Sequence, residues 1–365
     1  MNLEITIAEN ANEIEPWREQ WEALFSMSSR SDLSSSWQWL ANDFLHLTAG
    51  RNRKCYIAHC GSTFLGALVC EFKWTKVAGK FPVPAVSSGS HLVNDLALVQ
   101  PDDTSVTAAL IEAARHSYPN SAWLSFERLT PSCYTDMLQW ARSSHYQIFH
   151  SESDYSAVFD VDDTTFEQHM AKLSKKSRTN FSYYRRLLSR EVGPLQSLII
   201  CPDSKQQGAD LLELFLQLEK TGWKGDVGSA IDQREESRAF YQAFCESSQN
   251  TNQIIWHQIY ADDELLAMHL VVRSGKNLWV VKTAFNDAYR RYSPGSVALT
   301  DLLKFSIEQP DISSLRMITN YDWVWKWRPQ RESYYGIRVH FPSVVGKMLS
   351  LVSLCTDNNW KCVKD

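Results

Sequence analysis

The chemistry most legible in this sequence lies at residues 282–309, KTAFNDAYRRYSPGSVALTDLLKFSIEQ. An apolar run ending at Phe285 gives way to a polar loop carrying Arg290 and Arg291, and then to Ser293, Pro294 and Gly295 at the head of a helical pattern. A serine there can cap an orphan N–H, proline suits the first helical position, and glycine lets another group come up against the backbone. Free N–H groups at the positive end of a helix dipole, with two arginines beside them, attract a phosphate or a carboxylate. Ser-Pro-Gly also opens helices that bind nothing, so the frame around it matters.

Three other places carry candidate chemistry. Residues 322–328 alternate Trp323, Trp325 and Trp327 with Asp322, Val324, Lys326 and Arg328; read as extended chain, one side packs and the other presents one acid and two bases. His257 and His269 fall on neighbouring predicted strands, where each is a possible base or a structural residue. Lys172, Lys175, Lys176, Arg178, Arg185 and Arg186 give a predicted helix over 166–188 a basic face, which either meets water or closes over an anion.

The elements that must position these residues follow from periodicity. Residues 253–260, 265–273 and 278–285 read as strands joined by short turns at 261–264 and 274–277. Pro310 stops the helix after the Ser-Pro-Gly start, and 315–321 reads as a returning strand. Helices are predicted over 211–220 and 235–247, with Gly222, Trp223, Lys224 and Gly225 in a loop after the first. From Pro329 onward the chain reads as a tail with a closing helix over 344–354.

The first half repeats the order. A strand at 2–7, helices at 14–27 and 37–47, a hairpin of 55–60 and 65–74, a Pro- and Ser-rich loop at 81–88, a strand end at 96–99, a helix at 104–116 and a strand at 122–126 are expected. Where the second half has its arginines, the first has Gln100, Pro101, Asp102, Asp103 and Thr104. Carboxylates there satisfy the helix dipole themselves and repel phosphate. The first half is therefore expected to be scaffold or one wall of an acceptor cleft, with domains at 1–155 and 156–365.

With 365 residues the chain can bury two cores. A formal charge of −5 argues against a general nucleic-acid or membrane-surface binder and leaves room for a local basic patch. Eight cysteines without a C-x-x-C pair point to a reducing compartment and to no metal site. The acidic N-terminus and the lack of a long apolar run point to a cytoplasmic protein with no membrane insertion.

Three segments together resemble a known family: 173–186 (LSKKSRTNFSYYRR), 219–228 (EKTGWKGDVG) and 282–295 with its RRYSPG. They are similar to the GNAT acyltransferases, in the double-domain branch that includes proteins described as involved in cellulose biosynthesis and is related to the Fem aminoacyl transferases. The resemblance covers roughly residues 166–328. It implies an α/β (α+β) fold of tandem GNAT-like domains, each a mixed, mostly antiparallel sheet flanked by helices. It also implies transfer of an acyl group from acetyl-CoA or another acyl-CoA to an amine or hydroxyl of a small-molecule or polysaccharide-precursor acceptor, by direct attack and without a metal.

Carried onto this sequence, the donor's pyrophosphate falls to Arg290, Arg291, Tyr292, Ser293, Gly295, Ser296 and Val297. The acceptor side falls to Trp223 and Lys224, with His269 and Arg328 near it. Glu219 or Asp322 would take the proton and Lys282 and Lys326 would stabilise negative charge. Where the family loop ends in Gly or Ala, this chain has Val297, which leaves less room for a pyrophosphate and keeps a Fem-like transferase using aminoacyl-tRNA as the alternative donor reading. A non-catalytic two-domain binding protein in an envelope-polysaccharide pathway is the other alternative. No DNA partner is expected, and tRNA only under the Fem-like reading.

Overall fold

The computed structural model describes residues 3–27, 33–47, 52–77, 81–88, 104–221, 231–247, 254–318, 321–342, 344, 346–348 and 360–363. The chain divides into two compact units, residues 1–154 with 333–365, and residues 155–332. The predicted strand at 96–99, the junction at 100–103 and the loop holding Trp223 and Lys224 lie outside the described residues, as does most of the expected helix at 344–354.

In the first unit β1 (Glu4–Ala8), β2 (Asn52–Cys60), β3 (Thr63–Val77) and β4 (Phe81–Ser88) run as an antiparallel meander. β5 (Trp123–Leu129) then joins β4 in parallel, with Val86 opposite Leu124. Helices α1 (Arg18–Met27), α2 (Trp37–His46), α3 (Thr104–Ser117) and α4 (Pro131–Ser143) flank this sheet. One apolar core, including Trp21, Tyr56, Leu68, Ile111, Phe126 and Trp140, ties helices to strands. Residues 81–88, expected as a loop, are strand. The prolines responsible for that expectation, Pro82 and Pro84, precede the positions Val86 and Ser87 where β5 pairs, so their missing N–H groups interrupt no ladder on that side.

β6 (Gln147–Asp160) crosses the boundary between the units. In the second unit α5 (Phe166–Ala171) and α6 (Lys175–Glu191) replace the single helix expected over 166–188. The break follows from capping. Thr165 and Gln168 form a reciprocal capping box at the start of α5, and Ser174 accepts from Ser177 N–H to begin a new helix. Two of the six residues of the expected basic face are engaged by the protein itself: Arg178 donates to the Ala171 and Leu173 carbonyls, and Arg185 pairs with Asp301 at 2.5 Å.

β7 (Leu195–Ile200), α7 (Lys205–Lys220) and α8 (Glu235–Ser247) lead into the meander β8 (Ile254–Ala261), β9 (Glu264–Ser274) and β10 (Asn277–Phe285). Its two hairpin turns use left-handed residues, Asp262 at φ 50° and Gly275 at φ 57°. α9 (Pro294–Glu308) crosses back to β11 (Ser314–Met317), parallel to β10, and the end of β6 closes the row antiparallel to β11. The core beneath α9 includes Leu299, Leu302, Leu303, Val271, Phe181 and Trp327.

Two expectations after β11 are corrected. Residues 322–327 form a 3-10 helix, so Trp323, Trp325 and Trp327 do not share a face. Residues 330–340 are not a tail but a strand, β12 (Gln330–His340), which pairs antiparallel with β5. Each unit thus has a four-stranded meander, a parallel fifth strand reached through a helix and an antiparallel sixth. The fold is α/β, a mixed and mostly antiparallel sheet flanked by helices in each unit.

Candidate functional site

A cavity of about 530 Å³ opens at the start of α9. It is lined by Arg290, Ser293, Gly295 and Ser296 around the helix start, by Glu219 and His269, by Thr283 and Phe285 of β10, and by Tyr321, Trp323 and Lys326. The structure therefore brings together seven of the residues singled out from sequence: Glu219, His269, Arg290, Ser293, Gly295, Ser296 and Lys326.

The helix start differs from the expected cap. Ser293 is left-handed, at φ 50° and ψ 54°, and its side chain makes no capping bond. Its carbonyl instead accepts from Ser296 N–H at 2.9 Å and Val297 N–H at 3.3 Å. With Pro294 lacking a donor, this leaves the Gly295 N–H without a backbone acceptor among the described residues. A Cβ placed on Gly295 would meet only Phe285 Cδ1, at 3.9 Å, so protein packing does not require glycine here. The space it leaves opens to the cavity, which suits close approach of an anion to a helix N-terminus. A left-handed serine is a strained choice that concentrates at ligand sites.

Both arginines have partners of their own. Arg290 is held by Asp287, its Nε donating at 2.8 Å, and still lines the cavity. Arg291 donates to the Tyr292 hydroxyl and lies 3.7 Å from Glu191, and Tyr292 in turn donates to Glu191 at 2.9 Å. Arg291 and Tyr292 border a different depression of about 610 Å³, whose Glu191, Asp262, Asp263 and Glu264 would repel a phosphate. That depression is larger, but its four carboxylates make it the poorer candidate for an anion.

Val297 is also turned away, buried with Leu188, Tyr292 and Ala298. Its bulk therefore does not narrow the approach to the Gly295 amide.

A β-bulge decides which β10 side chains reach the cavity. The register shifts between Val280, opposite Val271, and Lys282, opposite Leu270. An unbroken strand would put Lys282 on the face of Val280; the extra residue Val281 turns it over, and Thr283 takes the place opposite His269. Lys282 instead holds its ammonium 5.2 Å from the centre of the Tyr241 ring, and it does not line the cavity. Thr283 carried no signal of its own in the sequence, because the bulge that places it is a tertiary feature.

His269 belongs to a buried polar row. Its Nδ1 lies 3.3 Å from His257 Nδ1, and His257 Nε2 lies 3.0 Å from Ser197 Oγ on β7. Burial lowers the pKa of His257 to about 4 against a smaller opposing pull from Asp301, so this imidazole is neutral at pH 7. Glu219 is buried as well, its Oε2 accepting from Ile231 N–H at 2.9 Å.

Asp322 is exposed and does not line the cavity. Arg328, left-handed at φ 52°, donates to the Lys172 carbonyl at 2.8 Å and borders a separate depression with Asp160, Asp162, Asp163 and His169. Trp327 is core, stacked on Phe181 at 4.2 Å, and Trp323 lines the cavity edge-on to Trp327. No group of three or more His, Cys, Asp or Glu side chains among the described residues is placed to hold a metal ion. No helix among them is long and apolar enough to cross a membrane.

Residues 175–326 match the family model of the acetyltransferase (GNAT) domain, and they contain every residue of the cavity. No curated protein sequence matches the chain. Among solved structures, FemX superposes over 96% of this chain and 99% of its own at a TM-score of 0.59 and 11% identity. L-PGS from Bacillus licheniformis covers 93% and 97% at 0.55 and 14% identity. The C-terminal domain of a putative lysylphosphatidylglycerol synthetase from Agrobacterium fabrum covers 94% and 97% at 0.54 and 11% identity. At these identities the likeness is one of fold, and it extends over both units.

Proposed function

We propose that this chain is an acyltransferase that moves an acyl group from an acyl-CoA to an amine or hydroxyl of a small-molecule or saccharide acceptor. One observation carries the reading: the open Gly295 amide and the buried Glu219 and His269 line the same cavity, within the segment that matches the GNAT domain model. Anion binding and proton acceptance therefore meet in one place.

In this reading Gly295 N–H, Arg290 and Lys326 hold the diphosphate, combining a helix N-terminus with two charge-assisted donors. The thioester supplies the activated acyl group. Phe285, Tyr321 and Trp323 give apolar walls that shed water around it. His269 or Glu219 takes the proton from the attacking acceptor. His257, neutral at pH 7, places no second buried charge beside His269.

The test is ligand-induced stabilisation. A donor present at one hundred times its Kd adds about 2.7 kcal/mol to the folded state, a readily measured rise in Tm. Acetyl-CoA and longer acyl-CoAs are each expected to produce it in the wild type. A flat melting temperature across the series, with free CoA equally silent, would remove acyl-CoA as the donor.

A further inference from the structure

A polar row crosses one face of the sheet in the second unit. Thr283 of β10 lies opposite His269 of β9, and His269 lies opposite His257 of β8. Ile199 of β7 lies opposite His257, and Ser197, two residues before it, shares that face. The next pair along the same face, Val271 opposite Ile255, belongs to the apolar core.

Three members of the row are hydrogen bonded in succession. His269 Nδ1 lies 3.3 Å from His257 Nδ1, and His257 Nε2 lies 3.0 Å from Ser197 Oγ. The two ends meet different surroundings. His269 lines the cavity, whereas Ser197 is exposed on β7, the last strand of the sheet among the described residues. Burying two imidazoles costs free energy that an apolar pair in their place would not, so packing alone does not account for them.

We propose that His269, His257 and Ser197 form a relay that carries the acceptor's proton from the cavity along the sheet to water at its edge. This rests on the acyl-transfer reading and names His269, where the chain of bonds to water begins, as the group that takes the proton in preference to Glu219. With its own proton on Nδ1, His269 carries none on Nε2. As the acceptor's proton arrives at Nε2, the Nδ1 proton passes to His257 Nδ1 and the Nε2 proton of His257 passes to Ser197 Oγ. The serine hydroxyl then releases its proton to water. No imidazolium stays buried, which matters because burial keeps His257 neutral at pH 7 against a weaker pull from Asp301. The reverse passage delivers a proton through His269 Nε2 to the departing thiolate sulfur and restores all three groups. Acceptor and thioester thus become acylated product and free thiol, with every proton accounted for.

The tautomers test the relay without any substrate. Heteronuclear NMR of histidine-labelled protein at pH 7, assigned with His257→Gln and His269→Gln, should find His269 protonated on Nδ1 and His257 on Nε2. The opposite pattern overturns the proposal, since His269 then has no nitrogen left to take a proton. Turnover of acetyl-CoA, followed as thiol release with water as the acceptor, is the second arm. His257→Gln should lower kcat roughly a hundredfold, the lower end of what positioned proton transfer contributes, and leave KM for acetyl-CoA unchanged. Ser197→Val should also lower kcat, and Ser197→Thr, equal to valine in shape but keeping a hydroxyl, should restore it. Ser197 is exposed, so the melting temperatures of these two variants should match. Equal kcat for the valine and threonine variants, or wild-type kcat in His257→Gln, overturns the relay. A wild type with no acetyl-CoA thermal shift would refute the acyl-CoA reading instead, and the tautomers would still decide the relay.

Discussion

His257→Gln is a direct test of the buried histidine row that borders the cavity. In the unfolded chain a histidine titrates near 6.5, whereas the folded protein resists protonating His257 until about pH 4. Between those values the unfolded state binds more protons, so stability is complete above about 6.5 and falls as the pH drops toward 4. From pH 7 to pH 5 one such group costs about 2 kcal/mol, obtained from the two titration curves. His340 is pushed down to about 4 by burial and adds a similar loss, and His46, His150 and His169, each also lowered by burial, add to it, so the wild type should lose at least about 4 kcal/mol over that interval. Glutamine keeps a polar group for Ser197 and His269 but cannot titrate. The variant should therefore lose about 2 kcal/mol less than the wild type. Urea denaturation of both proteins at pH 7 and pH 5 supplies the comparison, and their difference isolates His257 from His340. Equal losses would mean that His257 takes up its proton as readily in the folded state as in the unfolded chain, and its burial as a neutral group would have to be abandoned.

The site makes further separable predictions. Gly295→Asp should leave the melting temperature within a few degrees, because its Cβ meets only Phe285 Cδ1 at 3.9 Å, yet abolish the acyl-CoA thermal shift by placing a carboxylate where the phosphate would lie. Lys326→Met should weaken acyl-CoA binding in calorimetry by roughly tenfold or more, the worth of one charge-assisted contact, while Lys282→Met leaves it unchanged because that side chain lies over Tyr241. In the first unit, Asp43→Ala would remove the carboxylate paired with the buried Arg53 guanidinium at 2.7 Å while leaving the backbone carbonyl that also accepts from it, and should cost about 3 kcal/mol in urea denaturation.

What could be read from sequence depended on whether a signal was local. The β8–β10 meander was legible because apolar strand runs alternate with turn residues, and Gly275 and Asp262 fall where the turns need left-handed backbone. Residues 322–327 misled because tryptophan at every second position imitates a strand. The buried members are Val324 and Trp327, three apart, which is the spacing of a 3-10 helix. β12 was unreadable for a different reason. Its partner β5 lies some two hundred residues earlier in the chain, and nothing in either strand alone specifies that register.

The candidate site shows the same division more sharply. Ser293, Gly295 and Ser296 were visible because helix starts have a residue code, and Glu219 and His269 stand where the pattern put them, on the last turn of α7 and on β9. Lys282 was misassigned because one inserted residue, Val281, reverses the facing of all that follows it on the strand. The same geometry bears on the donor. Val297 weighed against a pyrophosphate only if its side chain faced the ligand, and instead it is packed against Leu188 and Tyr292 behind the helix start. The bulky residue and the open amide thus sit on opposite sides of one helical turn. A substitution that enlarges position 297 should unsettle that core before it disturbs binding, whereas one that fills position 295 should do the reverse.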